Sequence, residues 1–140
     1  PVTQWRLLQR GRAVPLAERM VQPAEVLGAP RKGLRFVFSG DSAPCPALEQ
    51  AAQDADLLLC DATYALPEQQ EQAAQWGHST FGQSAALAAK AGAKRLWLVH
   101  YSPMITDPEE ELAQAQSLFP AAECGYDGKN ITLQYEEAEE

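Results

Sequence analysis

Leu96-Trp97-Leu98-Val99-His100-Tyr101-Ser102-Pro103 decides how this chain is read. An apolar run of strand length meets a histidine and passes into a proline-bearing loop, which carries a proton- or metal-handling side chain to the end of a strand. Two other runs stop in the same way. Leu34-Arg35-Phe36-Val37-Phe38 leads into Ser39-Gly40-Asp41, and Leu57-Leu58-Leu59-Cys60 leads into Asp61. Strands joined by helices lie parallel with right-handed crossovers. Asp41, Asp61 and His100 are therefore expected at one edge of one sheet, beyond the carboxyl ends where open α/β sheets keep their chemistry. Taken singly, the aspartates read equally well as turn or cap residues and His100 as a strand end.

Between these strands the pattern predicts helices. One is expected over residues 47–53 with Pro46 in its first turn, and another from near Pro67 to just before Gly77, with Glu68 and Glu71 at its positive end. In Gly77-His78-Ser79-Thr80-Phe81-Gly82-Gln83, Thr80 and Gln83 have the spacing of a capping box, so a helix should run to about Ala91 with Gly92 just past its end. His78 then sits before a helix N-terminus, where free N–H groups favour an anion such as a phosphate. Asp107-Pro108-Glu109-Glu110 marks the start of a helix that should end at Phe119-Pro120. Residues 126–130 read as a turn and 131–135 as a last half-exposed strand. The strands themselves are expected over 34–38, 55–60 and 94–99.

At 140 residues the chain fits one domain with a real core. It has no apolar run long enough to span a bilayer and no signal-peptide pattern at its start, so a soluble, cytoplasmic protein is expected. Cys45, Cys60 and Cys124 are widely spaced, which suggests neither a disulfide framework nor a thiolate metal site. The net charge of -8 is unevenly spread: the first 35 residues hold seven basic and two acidic residues, the remainder four basic and seventeen acidic. Such asymmetry points to a basic arm for a polyanion or to an arginine-rich linker. Residues 1–33, broken by Pro15, Pro23, Pro30, Gly11 and Gly28, read as an extended arm with one short helical turn. Residues 34–135 read as the folded domain, and 136–140 as an acidic tail.

With these residues in view, the chain resembles the C-terminal half of the ribonuclease Z family, tRNA 3′-end endonucleases of the metallo-β-lactamase superfamily. Ser39-Gly40-Asp41-Ser42 resembles the family's S-G-D-T, and Cys60-Asp61-Ala62-Thr63-Tyr64 its H-E-A-T-F. Gly77-His78-Ser79-Thr80 matches G-H-S-T, and Val99-His100-Tyr101-Ser102-Pro103 resembles T-H-F-S-P. The resemblance implies an α/β fold, the C-terminal half of an αββα sandwich. It implies zinc as cofactor, two ions in the complete enzyme, with Asp41 as the bridge and His100 as a ligand. His78, oriented by Asp61, is implied to contact the scissile phosphate and protonate the leaving oxygen. Precursor tRNA is the implied substrate, and Arg6, Arg10, Arg12 and Arg19 are candidates to meet its phosphates, because this basic segment looks like the one that follows the family's tRNA-clamping arm.

The chain also departs from the pattern. Cys60-Asp61 stands for His-Glu, and Met104-Ile105 stands where the family has Arg-Tyr. The family's H-x-H-x-D-H motif, which supplies most zinc ligands, belongs to the N-terminal half, and only His78 and His100 occur here. A catalytic zinc takes at least three protein ligands. The chain alone is therefore expected to bind zinc weakly and to be inactive. It is also expected to pair through a bare sheet face with the missing N-terminal half or with a second copy as a homodimer. Two other readings remain: a non-catalytic diverged half-domain for RNA binding or self-assembly, and another hydrolase of the same superfamily.

Overall fold

Three apolar runs that each end in a polar loop do become neighbouring strands. The structure, a computed structural model, describes residues 2–29 and 32–135. Pro1, Pro30, Arg31 and the acidic stretch 136–140 lie outside the described residues. The described residues fall into two units, one made of residues 2–29 with 32 and the other of residues 33–135.

The first unit differs from the expected extended arm. Helix α1 (Val2–Gln9) is followed by a hairpin of β1 (Val14–Leu16) and β2 (Arg19–Val21), then a short 3-10 turn, Pro23–Glu25. Leu8, Val14 and Val21 close over one another as a small core. Arg6, Arg10, Arg12 and Arg19 are all exposed, and Arg19 pairs with Glu25 at 3.2 Å.

In the second unit, β3 (Phe36–Phe38), β4 (Leu57–Asp61), β5 (Leu96–Val99) and β6 (Ala122–Cys124) form one parallel sheet in that order. Helix α2 (Pro46–Ala51) joins β3 to β4; α3 (Gln70–Trp76) and α4 (Phe81–Ala91) join β4 to β5; α5 (Leu112–Leu118) joins β5 to β6. Because strand order follows chain order, every right-handed crossover steps the same way and its helix lands on the same face. That face holds the core. Leu58, Cys60, Leu96, Leu98, Ala122 and Cys124 meet Leu48 of α2, Phe81, Ala85 and Ala88 of α4, and Leu112 and Ala115 of α5.

Side chains alternate along a strand, so the neighbours of these residues point the other way. There Phe36 and Phe38 are 58% and 61% exposed, in register with Leu57 and Leu59. Trp97 is buried, and the Lys129 ammonium lies 4.9 Å from its ring centroid. Leu58, between Leu57 and Leu59 on β4, lies instead in the helix-covered core. The strand expected over 131–135 is absent, and the fourth strand is β6, paired to β5. Among the described residues no helix is long and apolar enough to cross a membrane.

Candidate active site

The carboxyl ends of β3, β4 and β5 and the loop before α4 meet at one place. Register fixes the first part: Asp61 closes β4 opposite Val99, and His100 follows at once. His100 takes a left-handed backbone, φ 64°, uncommon for a residue with a Cβ though less so for histidine. Gly40, at φ 62°, turns the chain after β3 towards Asp41.

His78 is placed by two helix ends. Gly77 closes α3 in the left-handed conformation, φ 75°, and His78 N–H returns to the Ala73 carbonyl at 2.8 Å. Two residues on, the Thr80–Gln83 capping box opens α4, as the spacing predicts. A parallel bridge between Tyr64 and Thr80 ties this loop to the one after β4, and Ser102 N–H donates to the Thr63 carbonyl, tying that loop to the one after β5.

Asp61 is the centre of the arrangement and is fully buried. Its Oδ1 accepts from Thr63 N–H, the Thr63 hydroxyl and Ser79 N–H, each at 3.0 Å. Its Oδ2 accepts from His78 Nδ1 at 2.8 Å and from Ser42 N–H at 3.3 Å. Burial alone raises a carboxyl pKa, but the bonds from His78, Ser79 and Thr63 outweigh it and hold Asp61 below the usual carboxylate range. Its backbone is fixed too, since Ser39 Oγ accepts from Asp61 N–H at 2.9 Å and Ser84 donates to its carbonyl.

Asp41 is the opposite case. Its side chain is 65% exposed, and Oδ2 lies 3.3 Å from His100 Nε2. On its far side, His100 Nδ1 lies 2.9 Å from Thr63 Oγ1 and 3.4 Å from Asp61 Oδ2. The His78 and His100 rings stack at 5.1 Å.

Asp61, His78 and His100 offer donor atoms within 4.8 Å of one another, a spacing a metal ion could use. Asp61, however, already accepts five hydrogen bonds and meets no solvent, so its oxygens are committed. Asp41 and His100 fit a metal better. Two ligands on a tetrahedral ion with bonds of about 2.0–2.1 Å lie about 3.3 Å apart, which is the Asp41–His100 separation. Imidazole and carboxylate together suit zinc among other divalent ions.

A model of the beta-lactamase superfamily domain matches residues 12–101. This chain belongs to the beta-lactamase superfamily. Within it, the chain is 40% identical to ribonuclease Z of Lachnoclostridium phytofermentans over 99% of its own length and 46% of that protein. It is 46% identical to ribonuclease Z of Myxococcus xanthus over 90% of its length and 42% of that protein. The chain thus spans about half the length of the curated relatives it matches. Among solved structures, the short form of human tRNase Z shares the fold, with a TM-score of 0.57 and 23% identity over 82% of this chain and 37% of that one.

The structure brings Asp41, Asp61, His78 and His100 together in the second unit; Arg6, Arg10, Arg12 and Arg19 lie in the first. Sequence reading misses Thr63, Ser39 and Ser79, which support Asp61. Their signal is present only in proximity: each stands within two residues of one singled out for chemistry.

Proposed function

We propose that the chain is the C-terminal half of a zinc-dependent phosphodiesterase of ribonuclease Z type that removes the 3′ trailer from precursor tRNA in the cytoplasm. The observation that carries this reading is the Asp61–His78 pair beside Asp41 and His100. Asp41 and His100 would hold metal, two ions in the complete enzyme. Metal held there supplies positive charge to the phosphoryl oxygens and makes water a nucleophile at neutral pH. Asp61 fixes His78 by its Nδ1, so Nε2 is the atom that meets the substrate. From there it donates a proton to the departing oxygen, a transfer that imidazole performs near neutrality. Arg6, Arg10, Arg12 and Arg19 offer charge to tRNA phosphates, with a contribution that falls as salt rises.

Further metal ligands belong to the other half of the domain, so the chain alone is inactive. Its uncovered sheet face, with Phe36 and Phe38 exposed, is the surface that half would cover, or a second copy in its absence. A non-catalytic RNA-binding module is the second reading, favoured by Met104, 89% exposed where the resemblance places arginine.

The complete enzyme separates the two. Asp41→Ala should abolish cleavage together with metal content, whereas His78→Ala should lower turnover with metal retained. Loss of metal from the His78 variant would move that residue into the ligand set. Absence of cleavage in the complete wild-type protein would favour the module, and tRNA binding that does not weaken when the four arginines are replaced would remove their role.

A further inference from the structure

Thr63 stands between the two halves of the site. Its Oγ1 lies 3.0 Å from Asp61 Oδ1 and 2.9 Å from His100 Nδ1. A hydroxyl has one proton to give and lone pairs to accept with. Asp61, held ionised by its hydrogen bonds, can only accept, so the proton between it and Thr63 is the threonine's own. The proton between Thr63 and His100 must then come from Nδ1 of the imidazole. In the neutral ring this leaves Nε2 bare, and Nε2 is the nitrogen that faces Asp41 at 3.3 Å.

We propose that Thr63 is a positioning residue: its hydroxyl bridges Asp61 to His100 and selects the imidazole form whose Nε2 is free to ligate. One buried carboxylate thereby orients both histidines, His78 directly and His100 through Thr63. The inference rests on the ligand role proposed for His100, since an imidazole bound through Nε2 needs its proton on Nδ1 and a partner for it. Thr63 is well held for the task, being nearly buried, with its N–H on Asp61 Oδ1 and its carbonyl accepting from Ser102.

The chain has only two histidines, so 15N labelling of histidine gives two imidazole signals, and His78→Gln assigns them. Above the imidazole titration range, long-range 1H–15N spectra of the metal-free chain should show His100 protonated on Nδ1. Thr63→Ser should keep that form. Thr63→Val and Thr63→Ala should move the proton largely to Nε2 and weaken zinc binding about 10- to 100-fold. A wild-type His100 protonated on Nε2 overturns the proposal by itself, whether or not the variants fold, and so does an unchanged proton position in Thr63→Val. The tautomer is read without metal. A proton position that depends on Thr63, beside a complete enzyme whose zinc content survives His100→Ala, leaves the positioning in place and removes the ligand role of His100.

Discussion

The two faces of the four-stranded sheet are made from the same strands and differ in almost everything else. On one, Leu58, Leu96 and Leu98 are fully buried under α2, α4 and α5. On the other, Phe36 and Phe38 keep more than half their surface in solvent. Alternation along each strand makes both faces apolar, but crossovers of a single hand place helices on only one. The site repeats the contrast at the strand ends. Asp61 is closed in by its own loops, while Asp41 stands open beside His100. On the proposed function, the open side is the one that the other half of the domain would complete.

The contrast is tested most severely at Asp61. Asp61→Ala leaves the His78 imidazole, the Thr63 hydroxyl and three backbone N–H groups without their acceptor, so the chain should lose on the order of 3–5 kcal/mol, read from urea unfolding. A loss below 1 kcal/mol would mean that the pocket is not closed. Next come the faces themselves. Leu98→Ala should cost about 2–5 kcal/mol through the cavity it leaves. Phe36→Ser with Phe38→Ser should change stability little and abolish the concentration-dependent self-association that light scattering should detect in the wild-type chain. A wild-type chain monomeric at high micromolar concentration would break the comparison.

The smallest effect is alkaline. Burial pushes the Cys124 thiol up from 9.0 to about 11, against a lowering hydrogen bond from Tyr101. Burial likewise raises the Cys60 thiol and the Tyr101 hydroxyl. A folded pKa above the unfolded one favours the folded state fully below the unfolded value and loses that contribution as pH rises through the folded value. The urea midpoint should therefore hold steady to about pH 9 and fall towards pH 11, less steeply in Cys124→Ala. A flat midpoint across that range would mean that the thiols of the covered face are not sealed.

The parts of the molecule that sequence reading finds are those with a local cause. Apolar runs ending in Asp41, Asp61 and His100 mark β3, β4 and β5, and Thr80 with Gln83 marks the start of α4. Where the cause is distant, the reading fails. β6 is only three residues long, carries Glu123 at its middle, and exists because β5 offers it an edge, whereas the better-patterned residues 131–135 form no strand. The β1–β2 hairpin turns through Ala17 at φ 52°, a position where glycine or asparagine normally announces the turn. Helix α1 has only Leu8 buried, too little for an apolar period to register. Thr63 is a similar case, because a threonine between Asp61 and His100 becomes visible only when β4 and β5 are set side by side.

Zinc titration of the chain by calorimetry, with Asp41→Asn alongside, tests most directly whether this is half of a metal site with Asp41 on its open side and Asp61 committed to His78. The expected result is weak, substoichiometric binding that Asp41→Asn removes. Tight binding of one or two ions per chain, or binding that survives Asp41→Asn, would contradict it.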